Sequence, residues 1–375
     1  MTLVVFHNFD KNVPVNSLDI PATTVRARST SVLSTIHYFE NLPGHNWLVV
    51  HHTEVPLFNE HFLNYRGELC NIYNGEWMIY KVWSEEEMYK KLMRDVLHNG
   101  SMRMDRTSVG TRSMFGKQLQ FNLKDNRLPM MTTKRVFFKG VAKELLWFLK
   151  GSTNARSLRD DGIHIWDGNS SRTYLDSRGL NTYEEGELGP IYGYQWRHWG
   201  KPYKTESTEG TEGTDQIQHI IQTIRNNPND RRMILSAWNV TDLPHMALPP
   251  CHILAQFYVE LDPQTDTKYL SCSMYQRSAD LFLGVPFNIT SYALLTHMIA
   301  HVTGCVAHRL IMNFGDAHVY NDHIEQVKTQ LDRDGFTFPT VSIDCDTSDI
   351  DDIEYEHLHV HNYKCHAGIK APMAV

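Results

Sequence analysis

A chain of 375 residues, 41% hydrophobic and 21% charged, has the make-up of a soluble globular protein with room for one large domain or two smaller ones. A net charge of -7 argues against a protein that coats nucleic acid, although a local arginine cluster can still grip a phosphate. No run approaches the ~20 apolar residues of a membrane span, and no basic-then-apolar leader opens the chain. The six cysteines, Cys70, Cys251, Cys272, Cys305, Cys345 and Cys365, lie far apart without a CxxC pair, which predicts reduced thiols and a cytoplasmic protein (the host cytoplasm, for a viral chain).

Residues 1–84 differ in texture from the rest. LVVFHNF and NWLVVHHTEV read as short buried strands, and SVLSTIHYFENL between them carries Val32, Ile36 and Phe39 at helical spacing. YNGEWMIYKVW reads as a strand after an Asn-Gly turn. This small α/β unit offers no catalytic constellation and reads as a structural or interaction extension.

SEEEMYKKLMRDVLHNG follows, with Ser84 and Glu87 spaced as a capping box, Met88, Leu92 and Val96 on one helical face, and a Gly stop. DRTSVGTRSMFGKQLQFNL is a Gly-punctuated loop running into a strand. VAKELLWFLKG is an apolar helix with Glu144 inside it; a carboxylate on such a face is costly unless paired or functional, though by itself it reads as a partly exposed stem. HIWDGNSSRTYLDSRG and GELGPIYGYQWRHWG have the aromatic, Gly-rich composition of pocket-shaping loops. KTESTEGTEGTDQ reads as an exposed insertion, IQHIIQTIRNNP as an amphipathic helix, and DRRMILSAWN as a strand entered through two arginines.

The densest chemistry lies from Pro244 to Asn288. A cysteine sits in a Pro-Pro-Cys-His turn ahead of one strand, a second strand carries Tyr-Gln-Arg-Ser, and an Asp and a Gly-Val-Pro-Phe-Asn loop follow. ITSYALLTHMIAHVTG is then a long buried helix, LIMNFGDAHVYNDHIEQVKTQL a strand, turn and helix, and the remainder acidic loop, short strands and an apolar tail, IKAPMAV. Helices and strands mix without a regular βαβ period, so the fold class is α+β, with a mixed sheet in the main part.

Cys251 is the candidate nucleophile; a thiolate needs positive charge or donors, and Arg277 and His252 are positioned in the sequence to supply them. Arg106, Arg231, Arg232 and Arg277 could grip a nucleotide phosphate in pairs of planar donors. Two consecutive arginines on a strand point to opposite faces, so a shared target for Arg231 and Arg232 requires a loop or a second subunit. The carboxamide of Asn288 can accept from a uracil N3–H and donate to O4, a pattern that cytosine reverses.

From about Glu85 to Val375 the chain resembles thymidylate synthase, particularly the eukaryotic type, in KELLWFLKGSTN, IWDGNSSR, GPIYGYQWRHWG, DRRMILSAWN, ALPPCH, LSCSMYQRSAD, LGVPFN, GDAHVY and IKAPMAV. The resemblance implies an extension over 1–84, a catalytic domain over 85–375, and a fold of a mixed sheet packed with helices. It also implies transfer of a methyl group to dUMP from 5,10-methylenetetrahydrofolate, without a metal. Cys251 would add to C6 of dUMP, Asn288 would hold the pyrimidine edge, and Glu144, Tyr192 and His252 would move protons. Arg106, Arg277 and Ser278 would hold the phosphate, with Arg231 and Arg232 reaching from the partner of a homodimer. His318 and Tyr320 would bind the ribose, and Asp280 the pterin. Ile165, Trp166, Asn169, Leu283, Gly284, Phe287 and Met373 would line the folate site under a tail ending at Val375.

Hydroxymethylases, some from phages, resemble the synthase closely and differ in letting water replace the hydride; Asn288 argues against the dCMP version. The chain departs from the family at Asp322, where Asn is common, and in DGFTFPTVSID, NYKCHAGIK and TSVGT. A metal site at His357, His359, His361, Cys365 and His366 is a weaker reading, because HLHVH alternates as on the polar side of a strand. An inactive nucleotide-binding relative is disfavoured by the retained Cys251, Arg277, Asp280 and Asn288.

Overall fold

The computed structural model describes residues 2–5, 23–24, 44–52, 54–59, 63–73, 75–104, 109–203 and 213–373. The expected helix over SVLSTIHYFENL, residues 204–212 of the KTESTEGTEGTDQ insertion, Arg106 and Val375 lie outside them.

Five strands near the N-terminus form one sheet in the order β2-β1-β3-β5-β4: β1 Thr2–Val5, β2 Thr23–Thr24, β3 His45–His51, β4 Gly67–Tyr73 and β5 Trp77–Trp83. β1 runs parallel to both its neighbours, and β5 is antiparallel to β3 and β4. The β4–β5 turn passes through Gly75 at φ +67, a conformation that glycine adopts without steric cost. Leu48, Val50, Phe58, Leu63, Tyr80 and Val82 make a core of their own under this sheet.

Helix α1, Glu85–Asn99, starts as its sequence dictates: Ser84 Oγ accepts from the Glu87 N–H at 3.2 Å, and the three acids of its first turn suit the positive end of the helix. Here the two cores meet. Arg66 lies 3.7 Å from Glu85, whose other oxygen is 3.1 Å from Arg127, and all three side chains are buried.

The main sheet has six strands in the order β6-β7-β11-β10-β9-β8. They are β6 Ser101–Arg103, β7 Thr111–Asn122, β8 Ile234–Ser236, β9 His252–Leu261, β10 Lys268–Asp280 and β11 Val306–Tyr320. Every pairing is antiparallel except β10 with β11, and a parallel pair needs a long crossover. Helix α5, Gly284–Thr303, is that crossover; it is buried on nearly every side and ends at the left-handed Gly304. Packed with it are α2 Phe138–Leu149, α3 Tyr192–His198, α4 Gln216–Asn226 and α6 Ile324–Leu331. A small hairpin, β12 Thr340–Ile343 with β13 Leu358–His361, completes the layer.

Two expectations are corrected. The Gly-Val-Pro-Phe-Asn segment is the first turn and a half of α5 rather than a loop, because Pro286 lacks an N–H only where the helix has no partner to offer it. The DRRMILSAWN strand is only Ile234–Ser236, so Arg231 and Arg232 stand before it and the opposite-faces argument does not apply to them. Among the described residues no helix is long and apolar enough to cross a membrane, none of the six cysteines is in a disulfide, and no group of three or more His, Cys, Asp or Glu could hold a metal ion.

Candidate active site

The parallel pair decides where the chemistry gathers. Its register sets Ser278 beside Asp316 and Asp280 beside His318, so the carboxyl ends of β10 and β11 present these groups together. β9 runs the other way, and its first residue, His252, pairs with Gln276; Cys251 therefore sits next to the same end of the sheet.

Arg277 holds the cysteine turn. Its Nε and Nη2 donate to Pro250 O at 2.7 Å and Pro249 O at 2.9 Å, and its backbone N–H donates to Cys251 O at 2.8 Å. The prolines leave these carbonyls without competing N–H groups, and the planar guanidinium matches two of them at once. Its other face lies 5.4 Å from the Trp238 ring.

Tyr192 comes from α3, whose Gly193 packs directly on α2; a Cβ at Gly193 would stand 2.5 Å from Phe148 O. Tyr192 Oη accepts from the Cys251 N–H at 2.7 Å, and its ring stacks on His252 with centroids 4.1 Å apart. His252 Nδ1 is 2.9 Å from Tyr292 Oη. Burial pushes His252 down to about 3, so the imidazole is neutral near pH 7. It cannot supply the positive charge expected of it; a neutral ring can still hold or pass a proton. Burial also raises the Tyr192 and Tyr292 hydroxyls well above the ordinary phenol range.

Glu144 is 7% exposed, not a partly exposed stem. Trp166 Nε1 donates to it at 2.8 Å, yet burial outweighs that hydrogen bond and raises the carboxyl to about 8. A carboxylic acid that is protonated near neutrality can both donate and accept.

Asn288 and Tyr292 are one turn apart on α5 and face the same way. Asn288 Oδ1 accepts from Gln276 Nε2 at 3.0 Å, and Gln276, buried, keeps its own Oε1 without a hydrogen-bond partner. Sequence reasoning passed over Gln276 and Tyr292. The signal for Gln276 was its place in Tyr-Gln-Arg-Ser, at the strand position pairing with His252.

On β11, His318 Nδ1 lies 3.2 Å from Asp316 Oδ1, which accepts from Ser113 Oγ at 2.7 Å; the Tyr320 ring stands edge-on to His318 at 5.2 Å. Asp280 Oδ1 accepts from the N–H groups of Phe282 at 2.9 Å and Leu283 at 3.2 Å, which shapes the entry to α5 at Gly284. Tyr89 Oη donates to Leu281 O at 2.6 Å, and Lys134 Nζ donates to Phe282 O. Trp166 and Asn169 are buried, while Ile165, Leu283 and Phe287 pack half-buried on the core and Met373 is 50% exposed.

Arg231 and Arg232 are not brought to Cys251. Gln256 Nε2 donates to Arg231 O, and Met233 O accepts from Phe257 N, which places the pair about six residues along β9, on the order of 20 Å away. The Arg232 side chain is 90% exposed.

A mixed sheet with a single parallel pair, and with a buried acid, a stacked Tyr–His pair and a clamped cysteine at the carboxyl end of that pair, defines a class of enzyme site built for covalent catalysis. The thymidylate synthase family model matches residues 87–375, and the chain belongs to that family. It is 51% identical over 294 residues to thymidylate synthase of Agaricus bisporus, covering 78% of this chain and 99% of that protein. To thymidylate synthase of Homo sapiens it is 52% identical over 291 residues, covering 77% and 91%. To the bifunctional dihydrofolate reductase-thymidylate synthase of Leishmania major it is 53% identical over 292 residues, and the chain spans only 55% of that protein's length.

Proposed function

We propose that the chain converts dUMP to dTMP, with 5,10-methylenetetrahydrofolate supplying both the carbon and, as it becomes dihydrofolate, the hydride. The observation that carries this reading is the convergence of Cys251, Tyr192, Glu144 and the Gln276–Asn288 pair on one end of the sheet.

In this reading Cys251 Sγ bonds to C6 of the uracil, and the C5–C6 π electrons move through C4 to O4, leaving C5 able to attack the methylene carbon. Asn288 Oδ1, already accepting one N–H from Gln276, uses its second lone pair for the uracil N3–H while Nδ2 donates to O4. The protonated Glu144 supplies and regains the proton of O4, and Tyr192 takes the proton lost from C5 toward ordered solvent. Arg277 and Ser278 hold the phosphate, joined by Arg106; His318 and Tyr320 hold the ribose. The folate fits against Trp166, Leu283 and Phe287 with Asp280 at its polar edge, because apolar half-buried walls beside a fixed carboxylate suit a flat heterocycle that donates hydrogen bonds. Ile165, Asn169, Gly284 and Met373 complete that wall.

The site works as a homodimer. The face of the main sheet away from the helices carries Gln118, Gln256, Tyr258, Tyr275, Ile311 and Asn313, exposed or half-buried, and a second copy would cover it. Arg231 and Arg232 sit at its edge, where each serves the partner's phosphate. Mixing inactive Cys251→Ser with inactive Arg231→Ala/Arg232→Ala chains should restore activity; no recovery would confine the site to one chain. Residues 1–84 are an extension outside the chemistry, the catalytic domain beginning at 85.

Product analysis tests the activity. dUMP and methylenetetrahydrofolate should give dTMP and an equal amount of dihydrofolate. 5-Hydroxymethyl-dUMP without dihydrofolate would make the chain a hydroxymethylase, and no product would leave an inactive nucleotide-binding relative.

A further inference from the structure

The C-terminal tail is fastened to the domain at two places. Upstream, Arg333 Nη1 donates to Ala367 O at 2.7 Å and to Thr133 O at 2.9 Å, and the His366 N–H donates to Thr132 O at 2.8 Å. Downstream, His323 Nε2 lies 2.7 Å from Pro372 O. Between them Ile369 and Ala371 pack on the core.

His323 ends the turn Asn321–His323 that joins β11 to α6, directly after the ribose-side Tyr320. Its ring has no solvent exposure and is wedged between Tyr320 and Phe282, each with centroids 5.5 Å away. A carbonyl oxygen only accepts, so Nε2 must carry the proton, and Nδ1 is left buried without a hydrogen-bond partner. The carboxylate of Asp322 stands 3.7 Å from the same Nε2, too far to hydrogen-bond and near enough to favour an N–H aimed past it at the tail. Phe282, against the other side of the ring, belongs to the segment that Asp280 shapes at the entry to α5.

We infer that His323 is a positioning residue for the tail: through Pro372 it latches the C-terminus against the segment Asp280–Gly284 and so governs water exclusion on the folate side. The inference rests on the proposed methyl transfer, in which an exocyclic methylene on C5 is reduced by hydride or intercepted by water.

His323→Phe keeps a ring between Tyr320 and Phe282 and removes the donor. It should leave dUMP binding unchanged, raise KM for the folate, and raise the share of turnovers ending in 5-hydroxymethyl-dUMP about tenfold, the scale of one buried hydrogen bond. His323→Gln, whose amide nitrogen reaches as far as Nε2, should restore the product ratio. In a chain shortened to Ala371 the substitution should add nothing, since its acceptor is gone. A purely structural loss would lower the amount of active enzyme without moving the product ratio. Should His323→Phe not fold, His323→Asn, whose amide stops at the Nδ1 position, takes its place. An unchanged ratio and KM, or an equal effect in the shortened chain, would overturn the latch. A wild-type chain that makes no product strikes the proposed activity instead; tail proteolysis, expected to quicken about tenfold in His323→Phe, then decides the latch alone.

Discussion

The two walls of the site are built differently. On the proposed nucleotide wall nearly every group assigned to the chemistry is fixed by a buried or half-buried partner: Cys251 N–H by Tyr192, the cysteine turn by Arg277, Asn288 by Gln276, Glu144 by Trp166 and His252 by Tyr292. On the proposed folate wall Trp166 and Asn169 are buried, but the rest is half-buried Ile165, Leu283 and Phe287, a carboxylate tied to its own loop, and a tail whose Met373 is half exposed. The first wall must hold a nucleophile, a base edge and an acid in fixed relation before substrate arrives, because covalent addition depends on geometry already in place. The second must open to admit a large co-substrate and then keep water out, which a rigid, fully bonded wall cannot do.

Cys251→Ser breaks the rigid wall most severely. A hydroxyl in place of a thiol should cut dTMP formation by ~10^3-fold or more while dUMP still binds, measured by turnover and by calorimetry. Appreciable turnover would remove Cys251 from the nucleophile role.

Glu144→Gln comes next, with a loss of about 10^2-fold in kcat from the missing proton donor. It also carries a signature in stability. The folded carboxyl titrates at about 8 against an ordinary 4.5, so its favourable contribution is complete below the unfolded value and is lost as pH rises through about 8. Urea melts from pH 5 to pH 9 should show wild-type stability falling more steeply than that of the glutamine variant; parallel curves would mean that the acid is ionised when buried. The buried histidines act with opposite sign. His252 and His297 titrate at about 3 and about 4 against 6.5, so their contribution is present above 6.5 and is lost as pH falls toward 4.

Asn288→Asp tests how the pyrimidine is read, and should shift preference from dUMP toward dCMP by about tenfold or more in kcat/KM. Gln276 sharpens the comparison, because Gln276→Leu should weaken dUMP binding without creating a preference for dCMP. Unchanged discrimination in the first variant would take Asn288 out of base reading.

The smallest effect is expected far from either wall. Deleting residues 1–84 removes Arg66 from the buried group with Glu85 and Arg127 and takes away the Ser84 cap of α1, while Glu85 keeps Arg127 and the Asn122 N–H at 2.9 Å. Tm should fall by about 2–4 °C with kcat unchanged. A large drop in kcat would make the extension part of the catalytic machinery.

Much of the candidate site was legible because its residues come in short motifs whose spacing fixes local geometry. Pro249 and Pro250 before Cys251 announce a turn, and the alternation of β10 puts Gln276, Ser278 and Asp280 on one side of the strand. What the motifs did not reveal is charge state and partnership. His252 looks in sequence like a cation beside a thiol, yet burial leaves it neutral, and Glu144 looks like a surface stem until Trp166 and the core close over it.

The sequence by itself determined the α+β class, the helices with clear apolar faces, Cys251 as the candidate nucleophile and the family to which the chain belongs. These follow from periodicity, turn chemistry and motif order, all of which act over a few residues. Tertiary structure alone decided that β10 and β11 run parallel, that the GVPFN segment opens a helix, that Arg231 and Arg232 lie on the order of 20 Å from Cys251, and that His323 meets Pro372. Each of these depends on contacts between residues far apart in the chain, and burial, which sets proton affinity, exists only once those contacts are made.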